Sequence, residues 1–315
     1  MTNINSSAVA FKTVGRRKKF KKLLCNYELY ILLLPALVYF LVFHYYPMYG
    51  VQIAFKDFIA SKGIWGSPWI GFDHFERLFN SYFFANIIKN TFWISIYTLV
   101  VGFPVPIIMA LMLNEVKNSS FKRIVQTVTY APHFISMTVM VGIIIVFLSP
   151  GSGIVNLIIK ALGGDPMPFM AKADWFPTVF VLSGIWQNTG WNAIIYLAAL
   201  AGIDPELHSA AQIDGANRIQ RIWYINLPGI VPIITILLIL NAGSIMNLGF
   251  EKIFLMQNQL NLETSEVIVT YVYKSGLINA QYGFSAAVGL FNSVVNCTLL
   301  VLFNSIARIS ENSLW

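Results

Sequence analysis

Stretches of about twenty residues that are almost free of Asp, Glu, Lys and Arg recur along the whole chain, and they leave it few folds. A helix of about 20 residues rises roughly 30 Å, the thickness of a bilayer's hydrocarbon core. In that core each backbone N–H and C=O needs a partner within its own segment or in a closed barrel. The apolar runs are continuous and lack the two-residue alternation of a barrel strand, so helices are expected. Of 315 residues, 57% are hydrophobic and 11% charged, against about 25% charged in a soluble domain. The expected fold is an all-α membrane protein with about six transmembrane helices.

The spans are predicted at Tyr27 to Tyr46, Asn90 to Leu113, Val125 to Leu148, Thr178 to Leu200, Leu227 to Asn247 and Ala286 to Ile306. Residues 1–26 form a basic segment, 27–306 the membrane domain and 307–315 a tail. Lys12, Arg16, Arg17, Lys18, Lys19, Lys21 and Lys22 flank the first run. Cations on the short loops before and between spans mark the cytoplasmic side. Lys117, Lys122, Arg123, Arg218, Arg221 and Arg308 fall on the same side. Both termini are therefore expected in the cytoplasm. This placement also accounts for the net charge of +7 without nucleic acid. The first run is longer than a signal-peptide core and is followed by His44-Tyr45-Tyr46-Pro47, not a small-residue cleavage site, so it is read as a retained anchor.

Among the outer loops, the first carries Trp65, Trp69, Phe72, Phe75 and Phe79, rings suited to the lipid headgroup level. Ile154 to Leu162 reads as a short surface helix, and Val267 to Tyr273 is apolar but too short to span. Cys25 and Cys297 lie at opposite ends and read as ordinary apolar side chains. His44, His74, His133 and His208 are scattered, so no metal is assigned. No GxxxxGK[ST] phosphate loop and no hydrolase constellation is present, so no catalytic residue and no cofactor is expected in this chain.

The loop after the fourth run is the most informative segment. Asp204 suits an N-cap and Pro205 the first helical position. Ala210 and Ala211 favour helix and present a thin face, and Gly215 suits the stop. Residues alone make this a capped surface helix that another protein's groove could approach. A second feature lies inside the fourth run, where Trp186, Gln187, Asn188, Trp191 and Asn192 form a polar-aromatic face through their i,i+4 spacing. Amides inside a span either bond neighbouring helices or line a path. Aromatic faces and amides together suit a sugar. Asn241 and Asn247, then Asn292 and Asn296, are weaker candidates of the same kind. Pro104, Pro106 and Pro132 mark kinks.

Ala210-Ala211, Asp214-Gly215-Ala216, Ile225, Leu227 and Pro228 resemble the EAA motif of binding-protein-dependent ABC importer permeases, of the type I fold. The segments Pro35 to Phe58, Gly71 to Asn90-Thr91, Glu266 to Tyr273 and Ala286 to Phe291 are similar to the LplB-type branch of the carbohydrate permeases. The resemblance implies that the 204–215 helix couples the spans to a separate ATPase, through Glu206, Ser209, Ala210, Ala211, Asp214, Gly215, Leu227 and Pro228. Ser209 stands where the motif usually has glutamate, and Glu206 is the candidate substitute. The resemblance further implies an ABC ATPase dimer holding ATP and Mg, a second homologous permease forming a heterodimer, an extracellular solute-binding protein, surrounding membrane lipid, and a carbohydrate cargo, an oligosaccharide. The implied location is a bacterial cell membrane. Two alternatives are the same machine for a non-sugar solute and an ATP-independent secondary transporter. The latter class tends to place ionisable groups at mid-membrane, and these spans are almost free of them.

Overall fold

The computed structural model describes residues 27–308, so the basic N-terminal cluster and residues 309–315 of the tail lie outside the described residues. The described chain is helical almost throughout; its β-type pairing is one isolated antiparallel bridge between Lys56 and Trp69. The principal elements are α1 (Tyr27–Phe40), α2 (Asp73–Phe79), α3 (Phe84–Tyr97), α4 (Pro104–Asn114), α5 (Ser119–Tyr130), α6 (Met137–Phe147) and α7 (Ile154–Ala161). They continue with α8 (Phe176–Ala201), α9 (Pro205–Ile213), α10 (Arg218–Arg221), α11 (Leu227–Gly243), α12 (Phe250–Met256), α13 (Ile268–Tyr273) and α14 (Tyr282–Arg308).

Among the described residues, four continuous helical stretches are long and apolar enough to cross a membrane: Tyr27–Phe55, Phe84–Asn114, Arg218–Gly243 and Tyr282–Arg308. α8, with 26 residues, has the length, but its amides keep it less apolar than these four. The predicted run Val125 to Leu148 is not one straight helix. α5 and α6 meet at 104°, and only taken together are they long and apolar enough to cross a membrane. Pro132 lacks the N–H that would continue α5, and the chain passes through a short 3₁₀ turn, Ala131–Phe134. Ser136 then caps a new helix, its hydroxyl accepting from the Val139 N–H.

Proline shapes the second span differently. A single π turn, Thr98–Gly102, precedes Pro104, so the ring meets a loosened backbone and the helix runs on as α4. A similar π turn, Ile222–Asn226, joins α10 to α11 ahead of Pro228.

Three buried clusters hold the bundle. One joins α6, the first half of α8, α12 and Val267, around Phe176, Met140 and Ile253. A second joins α2, α3, α13 and α14. The third packs α4 against the second half of α8 and Ile230 of α11. α8 crosses α5 in backbone contact: a Cβ on Gly190 would stand 2.2 Å from the Thr129 carbonyl oxygen. The outer-loop helix expected at Ile154 to Leu162 forms as α7. Its buried Asn156 ties together the loops before and after it by donating to the carbonyls of Leu148, Ser149 and Met167 and accepting from Met167 N. Trp65, Trp69 and Phe72 are strongly exposed, as side chains destined for an interface would be.

Candidate functional site

Two features of the sequence reading share α8: one follows its C-terminal end and the other lies along its length. At its C-terminal end, Asp204 caps α9, its carboxylate accepting from the Glu206 N–H at 2.9 Å. α9 ends in a Schellman motif: Ala216 N donates to Ala211 O at 2.8 Å and Gly215 N to Gln212 O at 3.1 Å. Gly215 takes φ +80°, a left-handed conformation that favours glycine. No α9 residue is buried. Glu206, Ser209, Ala210, Asp214 and Gly215 are exposed, while Ala211 is half-buried. Ile213, 87% exposed, and Leu207 stand beside them with little packed against them. Ser209 spends its hydroxyl on Pro205 O of its own helix, which leaves Glu206 as the carboxylate in the first turn of α9. Leu227 is half-buried and Pro228 exposed at the start of α11.

The sequence reading missed what anchors this loop. Asn217 and Gln220 close a reciprocal capping box at the start of α10. Glu115, at the end of α4, faces Arg221 at 3.7 Å and accepts from the fully buried Asn226 at 3.4 Å. The α9–α10 unit is thereby tied to the second span as well as to α8 and α11. A double-mutant cycle of Glu115→Ala and Arg221→Ala is expected to return a coupling energy of about 0.5–3 kcal/mol in denaturant unfolding. Strictly additive losses would show that the pair does not act as a unit.

Along α8 lies a cavity of about 460 Å³. Its wall runs from Phe180 to Tyr196, roughly 24 Å of helix, and includes the π turn before Pro104 and the residues that follow α11. Gln187, Asn188, Asn192 and Asn241, all expected on a path, line it together with Asn247. The aromatic half of the expected face does not. Trp191 stacks on His133, centroids 4.5 Å apart and planes within 4°, and Asn188 Oδ1 lies 3.0 Å from Nδ1 of the same histidine. Trp186, 49% exposed, precedes Gln187 by one residue and so points about 100° away from it around the helix. Asn292 also leaves the set. It is buried and, with Asn296, donates to Asn247 Oδ1, locking α14 to the turn after α11. Residues not foreseen on the wall are Ser95, Thr98 and Lys252. Among the described residues no cluster of His, Cys, Asp or Glu could hold a metal.

Known proteins carry the same layout. The family described as "Binding-protein-dependent transport system inner membrane component" matches residues 102–313, from the π turn through the α9 loop to the tail. The chain belongs to that family. Protein LplB of Bacillus subtilis (strain 168) is 46% identical over 280 residues, covering 89% of this chain and 88% of its own. The polygalacturonan/rhamnogalacturonan transport system permease protein YteP of the same organism is 42% identical over 301 residues, 96% of this chain and 94% of its own. Among solved structures, a chain of a bacterial ABC transporter involved in the import of the acidic polysaccharide alginate matches with a TM-score of 0.85 at 42% identity, covering 92% of this chain and 98% of that one. A chain from the bacterial alginate ABC transporter in complex with alginate pentasaccharide-bound periplasmic protein matches with a TM-score of 0.86 at 41% identity, covering 93% and 98%. This inner membrane component therefore has the type I ABC importer permease fold, and its part is transport through the membrane.

Proposed function

We propose that the chain is one permease subunit of an ABC importer that takes up a carbohydrate, an oligosaccharide, by alternating access. The observation that carries this reading is α9: a capped helix with no buried residue and with small residues on its face, braced from the second span and following the C-terminal end of α8, the helix that walls the cavity. Such a helix can receive motion from a nucleotide-driven partner and pass it to α4, α8 and α11. The names of the similar proteins support a carbohydrate cargo, and one similar solved chain comes from a complex with a saccharide-bound periplasmic protein.

In this reading α9 and both termini face the cytoplasm of a bacterial cell. All six runs of the sequence cross the membrane, α5 and α6 as one broken span and α8 as a polar one. A second, homologous permease completes the path. An ATPase dimer, holding ATP and Mg, docks on Glu206, Ala210, Ala211 and Asp214. A solute-binding protein delivers cargo to the opposite end, where the loops around α7, α12 and α13 lie. This subunit has no ATP site of its own.

The test is uptake by proteoliposomes holding the whole assembly. Labelled oligosaccharide is expected to accumulate only with ATP and binding protein present, and to stop when the ATPase is inactivated. Accumulation that survives a dead ATPase would point to an ATP-independent transporter. Uptake of a peptide but of no saccharide would overturn the cargo.

A further inference from the structure

Among the described residues Lys252 is the one charged side chain on the cavity wall, and no carboxylate lies within ion-pair distance of it. The sequence assigns it to an outer loop, but α12 folds back against α8 and buries it to 5% exposure. Its Nζ donates to Phe180 O at 3.0 Å and stands 4.9 Å from the centre of the Phe180 ring. An ammonium has three N–H donors, and one carbonyl occupies only one. A carbonyl and a ring face also return less than burial of a full charge removes, so such a charge wants an anion. Among the described residues of this chain none supplies that anion.

Gly184 shapes the same spot. A Cβ there would lie 3.3 Å from Nζ, so its absence keeps a gap between the ammonium and the helix wall. Ser95, 2% exposed, is among the lining residues, and its buried hydroxyl has no hydrogen-bond partner. The remaining polar wall is amide and hydroxyl, suited to a neutral polyol. A neutral cargo would leave that buried charge without a counter-charge. Phe180 lies in the first turns of α8, so Lys252 sits at the end of the cavity away from α9, where cargo would enter.

We propose that Lys252 reads charge, and that the imported oligosaccharide is anionic, carrying sugar carboxylates. This rests on the carbohydrate reading above. One cation among hydroxyls and amides attracts a carboxylate at the mouth without a second charge to trap it further in, a balance that passage requires.

The test uses the whole importer in proteoliposomes with labelled trimers of galacturonate, mannuronate and glucuronate, their methyl esters, and a neutral hexose trimer. The wild type is expected to prefer at least one free acid over its ester. Lys252→Met is expected to lower that acid-to-ester ratio by about tenfold or more, and Lys252→Arg to preserve it. Assembly is followed by co-purification with the partner permease; if Lys252→Met does not assemble, Lys252→Gln takes its place. Equal losses for acid and ester would make Lys252 a tether between α12 and α8 and overturn the proposal. Preference for the ester or the neutral trimer would overturn it while leaving the carbohydrate reading intact. Transport of peptide and of no saccharide would overturn that reading itself.

Discussion

Gly215→Arg is expected to leave the subunit inserted and ATP hydrolysis running while uptake falls by an order of magnitude. The left-handed backbone at φ +80° costs a side-chain-bearing residue about 1–2 kcal/mol, a factor of roughly 5–30. The two hydrogen bonds that end α9 depend on that conformation. Relaxing the strain shifts the last turn, which carries Ala211 and Asp214, and adds a long cation to an exposed docking face. A Cβ added at Gly215 would meet nothing within 4 Å, so the bundle itself is untouched. Gly215→Asn separates the causes, because asparagine tolerates the left-handed region, and it is expected to stay within about threefold of wild type. The readouts are ATP hydrolysis and uptake on one proteoliposome preparation. Normal uptake in the arginine variant would remove α9 from the coupling route.

Gly190→Ala is expected to damage the fold itself. One methyl would meet the Thr129 carbonyl oxygen at 2.2 Å; the oxygen is helix backbone and the methyl is fixed to helix backbone, so neither can swing aside. α5 and α8 must separate. Overpacking of this kind costs about 1–3 kcal/mol or more, and it also pulls Gln187 and Asn188 away from Ile135 and His133. Thermal unfolding in detergent should begin at lower temperature, and the yield of assembled complex should fall. Gly142→Ala is the control: it sits inside α6 with nothing within 4 Å, and alanine is the better helix former. If both alanines behave alike, the close crossing of α5 and α8 is not what holds these helices in register.

Much of this architecture is legible in the sequence alone. The ends of α8 fall within two residues of the predicted Thr178 to Leu200, because Pro177 and Gly202 punctuate a long apolar run. Asp204, Pro205 and Gly215 likewise announced α9 through local chemistry alone. The α5–α6 break escaped because summed hydropathy takes no account of which backbone N–H is missing at Pro132, or that Ser136 can start a helix afresh. The cavity was half legible. Gln187 and Asn188 share a helix, so spacing reveals them; Lys252 reaches the same wall from another element, and only tertiary folding brings it there. Trp191 misled for a related reason, since its partner, His133, lies 58 positions away and takes the ring face offered to a sugar.

α1 buries none of its side chains, although the chain just beyond it, at Ala54, is fully enclosed. A segment of this kind adds nothing to the cooperative melting of its own subunit. Its tilt is chosen by whatever surrounds it, lipid or a neighbouring subunit, and not by the packing of the other helices. Calorimetry on the isolated chain would therefore weigh only the bundle, and the resting angle of α1 belongs to the assembled machine.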